Sequence, residues 1–224
     1  MEYPRHNFTW RDITLREVDL KEIYQMACDA RDSIWEQAKS VGREPKIYLH
    51  WTAGHYANGR EEQMYLNDYH IAIDADGSIY AEHQFSDTLA HTWRRNTGSI
   101  GVALTCGVGS GSQDLGDEPP TSAQIEAMAQ VIYAIAEGLW LTIDKTHVMT
   151  HGEAADCEDG DYSTHNPYAW WDDSYGDGDT RGDLEYLGTD ESPSYNPQAT
   201  DGSRGGDVLR GKANWYKNQN ALNI

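Results

Sequence analysis

Basic residues are scarce in this chain. Its 224 residues include 17 lysines and arginines against 37 aspartates and glutamates, a net charge of -20. Such a balance argues against a tightly bound polyanion, whether nucleic acid, anionic lipid or wall teichoic acid, although uneven charge can still leave a local basic patch. Cysteine is sparse too. Cys28, Cys106 and Cys157 are odd in number and widely spaced with no CxxC pair, so no disulfide framework is expected and a reducing compartment during synthesis is the simpler reading. No apolar run approaches a membrane span, so membrane insertion is not expected. The start, Met1-Glu2-Tyr3-Pro4-Arg5-His6, lacks the basic residues and apolar stretch of a secretory signal. The chain is therefore expected to be made in the cytoplasm and delivered by other means to any target outside the membrane. No internal repeat is visible.

The length suits one sizeable core. Thr14-Leu15-Arg16-Glu17 reads as a capping box, and Leu20, Ile23, Tyr24, Ala27, Ile34 and Ala38 follow at helical spacing to about Ser40. Ile47 to His50 reads as a short strand. Tyr69 to Asp74 and Ser78 to Ala81, joined by Ala75-Asp76-Gly77, read as a hairpin. Ser99 to Thr105 is a further strand. A Gly-, Ser- and Asp-rich loop from Gly107 to Pro120 leads to a second capping box, Thr121-Ser122-Ala123-Gln124, before a helical stripe from Ile125 to Leu139. Strands interleaved with long helices give an α/β domain with a mixed sheet covered by helices. From Gly152 to Gly206 aliphatic residues are few and loop is expected. Asp156 to Asp161 and Asp177 to Asp179 superficially resemble calcium loops but miss the EF-hand spacing, so they read as solvated acidic loops, with calcium the lesser alternative. Gly205 to Tyr216 reads as a returning helix that docks Val208, Leu209, Ala213 and Trp215 on the body.

Two histidines carry the chemistry. His50 closes Lys46-Ile47-Tyr48-Leu49-His50, and His151 closes Thr146-His147-Val148-Met149-Thr150-His151. A histidine at the exit of a buried strand is held rigidly while its ring faces a cleft, which suits a metal ligand or an acid-base group. A tetrahedral catalytic zinc would need one further protein ligand and one open position. Asp156, Cys157, Asp159, His165 and Asp183 are all candidates, and spacing alone does not choose among them.

His50-Trp51-Thr52-Ala53-Gly54 followed by Tyr69-His70-Ile71-Ala72-Ile73-Asp74-Ala75-Asp76-Gly77-Ser78-Ile79-Tyr80 resembles the opening of the zinc-dependent N-acetylmuramoyl-L-alanine amidases of the type 2 family, which are related to peptidoglycan recognition proteins. His91 and Asn96-Thr97-Gly98-Ser99-Ile100-Gly101-Val102-Ala103-Leu104 are similar to that family's histidine and its NxxSIGIEL strand. The long helix and the strand ending at His151 keep the family's order, and the likeness spans roughly residues 45 to 190. Arg181-Gly182-Asp183-Leu184-Glu185-Tyr186-Leu187 resembles the RWDLxxL stretch of a phage and prophage branch.

The resemblance implies a mixed sheet flanked by helices and one catalytic zinc held by His50, His151 and Asp183, with Cys157 the runner-up as third ligand. It implies hydrolysis of the amide between N-acetylmuramic acid and L-alanine in peptidoglycan by a phage or prophage lytic enzyme acting on the bacterial wall. A non-cutting recognition protein and an intracellular metallohydrolase of small amides are the alternatives. Tyr69 matches the tyrosine of the phage lysozyme-type branch and is expected to handle the proton or orient water. Arg181 stands where lysine is commoner, a swap that changes the donor geometry offered to an oxyanion. Ala103 occupies the position of a glutamate used by some members, leaving Glu153 as a possible substitute. His91, Trp51, Arg94, Arg95 and Asn96 are expected to contact substrate, with Trp51 and His55 on the rim. The catalytic domain is expected over 1–190, with an acidic loop inserted at 152–182 that carries Trp170 and Trp171, and 191–224 packing on it as a tail. A monomer is expected.

Overall fold

The computed structural model describes residues 16–93, 95–110, 115–156, 183–184 and 205–222. Six strands form one sheet: β1 (Arg16–Glu17), β2 (Lys46–Trp51), β3 (Ile71–Ile73), β4 (Ile79–Ala81), β5 (Ser99–Leu104) and β6 (Val148–Thr150), in the spatial order β1-β4-β3-β5-β2-β6. β2 runs parallel to both β5 and β6, and β5 parallel to β3, while β4 pairs antiparallel with β3 and β1. Among the described residues four α-helices accompany the sheet: α1 (Leu20–Ser40), α2 (Ser122–Leu139), α3 (His151–Asp156) and α4 (Gly205–Asn218). This is the expected α/β fold with a mixed sheet. No helix among the described residues is long and apolar enough to cross a membrane.

Strand alternation divides the sheet into two faces that differ in kind. Ile47, Leu49 and Trp51 of β2, Ile71 and Ile73 of β3, Ile100, Val102 and Leu104 of β5 and Val148 of β6 join the main core with the buried stripes of α1 and α2. The residues between them, Tyr48, His50, Ala72, Gly101, Ala103 and Met149, lie on the other face. Large aliphatic side chains therefore hold the helices, while small residues beside His50 leave room for a site. Register places His50 directly opposite Ala103.

The helix boundaries follow local chemistry. Thr121 caps α2 as expected: its hydroxyl accepts from Gln124 N and donates to Ala75 O at 2.7 Å, tying the helix start to the hairpin. Gln124 extends this by donating Nε2 to Ile73 O and Thr105 O. α1 departs from expectation. Its N-cap is Asp19, reciprocated by Glu22, and Arg16 and Glu17 lie in β1. Pairing with Tyr80 and Ala81 of β4 claims those two residues for the sheet, and tertiary pairing outweighs the weaker local signal. Thr14 and Leu15 lie outside the described residues.

The hairpin is shorter than Tyr69 to Asp74 suggested. Its turn is pinned by the Asp74 carboxylate, which accepts from the backbone N–H of Asn58, Gly59 and Ala75 and from the Thr105 hydroxyl. Gly77 takes φ 91° in this turn, a conformation that favours glycine. Two further differences concern the C-terminal half. His151 does not end a strand but begins α3, and the expected loop is thus helical as far as Asp156. α4 forms and buries Val208, Leu209 and Ala213, but Trp215 is 58% exposed. Leu209, Ala213 and Tyr216 recur at helical spacing on the docking face, and Trp215 falls beside that stripe. Tyr216 packs against the core and donates its hydroxyl to Glu126 at 2.7 Å.

Candidate metal centre

β2 and β6 lie side by side, with Leu49 opposite Thr150. The next residue along each is His50 or His151, so parallel pairing brings the two imidazoles together, with ring centroids 4.9 Å apart and edge-on. Asp183 completes the group. Its Oδ2 lies 3.2 Å from His50 Nδ1 and 3.6 Å from His151 Nδ1, and one ligand atom from each residue falls within 4.8 Å of the others. All three side chains are buried. Burial opposes charge on the Asp183 carboxylate, yet hydrogen bonding to His151 and His50, with their charge, outweighs it and holds the carboxyl well below the usual carboxylate range. Leu184 anchors this ligand: fully buried in the main core, it adopts φ 59°, a left-handed conformation that costs an L-residue about 1–2 kcal/mol.

Two imidazole nitrogens and a carboxylate oxygen are a donor set suited to a zinc-type ion, and three protein ligands leave a tetrahedral ion one open position. Among the described residues no other group of histidine, cysteine and carboxylate side chains converges in this way.

Beneath His50 runs a polar chain that the sequence reading missed. With Nδ1 of His50 turned to Asp183, Nε2 faces Thr92 Oγ1 at 3.4 Å. The Thr92 hydroxyl is also 2.9 Å from His91 Nδ1, and His91 Nε2 is 3.4 Å from Ser99 Oγ. Ser99 in turn donates to the carbonyls of Arg95 and Asn96. One set of protons satisfies the chain: His50 Nε2–H donates to Thr92, Thr92 to His91, and His91 Nε2–H to Ser99. In that set a neutral His50 carries its proton on Nε2, and an ion held with Asp183 would take the place of the proton that otherwise bridges Nδ1 and the carboxylate. Burial, reinforced by His50, His70 and His151, pushes the His91 pKa well down, so His91 is neutral as the chain requires. Gly101 makes this possible, since a Cβ there would lie 2.6 Å from the His91 ring.

The structure treats the other expected residues unequally. Tyr69 sits at the site, its ring centroid 5.0 Å from that of His50. Trp51 is only 8% exposed and lies in the main core, because alternation along β2 turns it away from His50; it is not a rim residue. His91 and Arg95 are buried as well. Asn96 Oδ1 accepts from the backbone N–H of His91 and Thr92, so it shapes the turn beneath the site. Trp93 between them is the exposed aromatic. His55 is exposed and pairs with Glu118 at 3.0 Å. Glu153 faces α4, where Arg210 engages both of its carboxylate oxygens; it does not substitute for the missing glutamate. Arg94, Arg181, Cys157, Asp159, His165, Trp170 and Trp171 lie outside the described residues, as do the acidic runs past Asp156.

A sequence profile described as N-acetylmuramoyl-L-alanine amidase (Amidase_2) matches residues 42–167, more than half of the chain. The chain belongs to this amidase family. His50 and His151 fall within the match, and Asp183 lies beyond it. A comparison with curated proteins finds no match. Among solved structures, Drosophila PGRP-LB is similar at 19% identity over 50% of this chain and 72% of that one, with a TM-score of 0.37.

Proposed function

We propose that this amidase-family protein is a zinc hydrolase that cuts the amide between N-acetylmuramic acid and the L-alanine of the peptidoglycan stem peptide. The observation that carries the reading is the convergence of His50, His151 and Asp183 donor atoms within 4.8 Å, in a chain whose family is described by that activity. Zinc, when bound, supplies polarisation of the scissile carbonyl and lowers the pKa of water toward neutrality. The protein must supply proton handling and orientation. Tyr69, beside His50, is the residue assigned to orient the attacking water and pass a proton toward the leaving nitrogen. Ala103, opposite His50 in β5, has no carboxylate to offer, and Glu153 is engaged by Arg210. Thr92 and His91 hold the His50 ring in the tautomer that presents Nδ1. Arg181 is proposed to stabilise the developing oxyanion through its guanidinium, and Trp93 to offer an exposed aromatic face to a sugar ring.

A lytic role in a phage or prophage is part of this proposal, supported by the likeness of Arg181 to Leu187 to that branch. The test is digestion of purified peptidoglycan, with products read by mass spectrometry before chelation, after it and after zinc is restored. Stem peptides with a free N-terminal alanine, lost on chelation and regained with zinc, are expected. Intact glycan-peptide links together with tight binding to the wall would overturn hydrolysis in favour of recognition.

A further inference from the structure

Glu153 follows His151 by two residues and closes a capping box around it. Thr150 N–H donates to Glu153 Oε2 and Glu153 N–H donates to Thr150 Oγ1, each at 3.0 Å. Arg210, far along the chain on α4, grips the same carboxylate with two donors, Nη1 to Oε2 and Nη2 to Oε1, both at 2.7 Å. Nη1 also donates to Val148 O at 2.8 Å, and Nη2 to Asp207. One guanidinium thus ties the strand before His151 to the first turn of the helix after it.

Stability alone gives this arrangement a weak rationale. Glu153 is 1% exposed, and a buried ion pair rarely outperforms well-packed apolar side chains of the same volume. What such a pair does supply is fixed, directional geometry. The start of α4 is built to allow it: a Cβ at Gly206 would lie 2.3 Å from Glu153 Oε2, so glycine there lets the helix close on the carboxylate. α4 lies outside residues 42–167, the stretch matched by the family profile.

We propose that Arg210 is a positioning residue for the metal centre, holding His151 in its ligating orientation through Glu153 and the Val148 carbonyl. The inference rests on the metal-dependent reading above. The last helix is then a brace on one ligand.

The test compares zinc affinity, by chelator competition, in the wild-type protein and in Arg210→Met, Gly206→Ala and Lys212→Met. Lys212→Met removes a different contact of α4, the ion pair to Glu126 on α2, and serves as the control for loosened docking. Arg210→Met and Gly206→Ala are expected to weaken zinc binding about 10- to 100-fold, the usual cost of removing a group that orients a metal ligand. Lys212→Met is expected to leave the affinity unchanged. Gly206→Ala displaces the carboxylate while favouring the helix, so it carries the test alone should Arg210→Met fail to fold. Wild-type affinity in Gly206→Ala and in a folded Arg210→Met, or an equal loss in Lys212→Met, would overturn the inference. A wild-type protein that binds zinc tightly but releases no stem peptide would instead overturn the amidase reading, and the affinity comparison would still decide the role of Arg210.

Discussion

His50 is held from both sides of its ring, by Asp183 at Nδ1 and by Thr92 at Nε2, and these contacts separate binding from chemistry. Replacing Asp183 with alanine should abolish both stoichiometric zinc, read by metal analysis, and release of stem peptides. Tyr69→Phe keeps every ligand and removes one hydroxyl, so zinc content should stay whole while kcat falls about 100-fold or more, the span usual for a lost acid-base group. A Tyr69→Phe enzyme of unchanged kcat would return Tyr69 to a packing role. Thr92→Val removes the contact that sets the His50 tautomer, and zinc affinity should drop about 10-fold, as for other groups that orient a ligand. Competition with a chelator measures this directly.

At the scale of elements, the cap of α2 joins helix, hairpin and sheet through a few polar groups. Thr121→Ala loses the bond accepted from Gln124 N and the bond donated to Ala75 O. Loss of a cap costs about 0.5–2 kcal/mol, and thermal unfolding should register it without change in zinc content. This cap was legible in the sequence because its residues are neighbours in the chain. The start of α1 was misread because Arg16 and Glu17 answer to β4, a partner that no local pattern announces. Trp51 followed the same alternation that placed His50, but on the opposite face, and a rim role did not survive that parity. His50 and His151 could be paired by position, whereas Asp183 rested on family resemblance. The partnership of Glu153 with Arg210 and the link through Thr92 needed coordinates, since contacts across the fold leave no periodic trace.

For the molecule as a whole, acid is the informative stress. His70 is buried between β5 and the loop after β4. Gly101 N–H donates to its Nδ1 at 3.0 Å, and its Nε2–H donates to Asp87 O at 2.9 Å. Burial pushes its pKa down to about 4, against about 6.5 when unfolded. The unfolded chain therefore binds the extra proton first as pH falls, and this contribution to stability is complete above pH 6.5 and drains away toward pH 4. The loss amounts to about 3 kcal/mol at 1.36 kcal/mol per pH unit. Denaturant midpoints at pH 7 and pH 4.5 should differ more in the wild type than in His70→Gln, and equal differences would assign the acid sensitivity to groups other than His70.

The wide spacing of the three candidate metal ligands also orders events in time. β2 is central in the sheet, yet both its partners, β5 and β6, are made long after it. Contacts so distant in sequence form slowly, because the intervening chain must be closed before they repay it. During synthesis His50 waits for His151, and both wait for Asp183, while Arg210 arrives after all three. Until Asp183 has been added, the growing chain carries only two of the three donors, so a site of this composition cannot close around an ion before then.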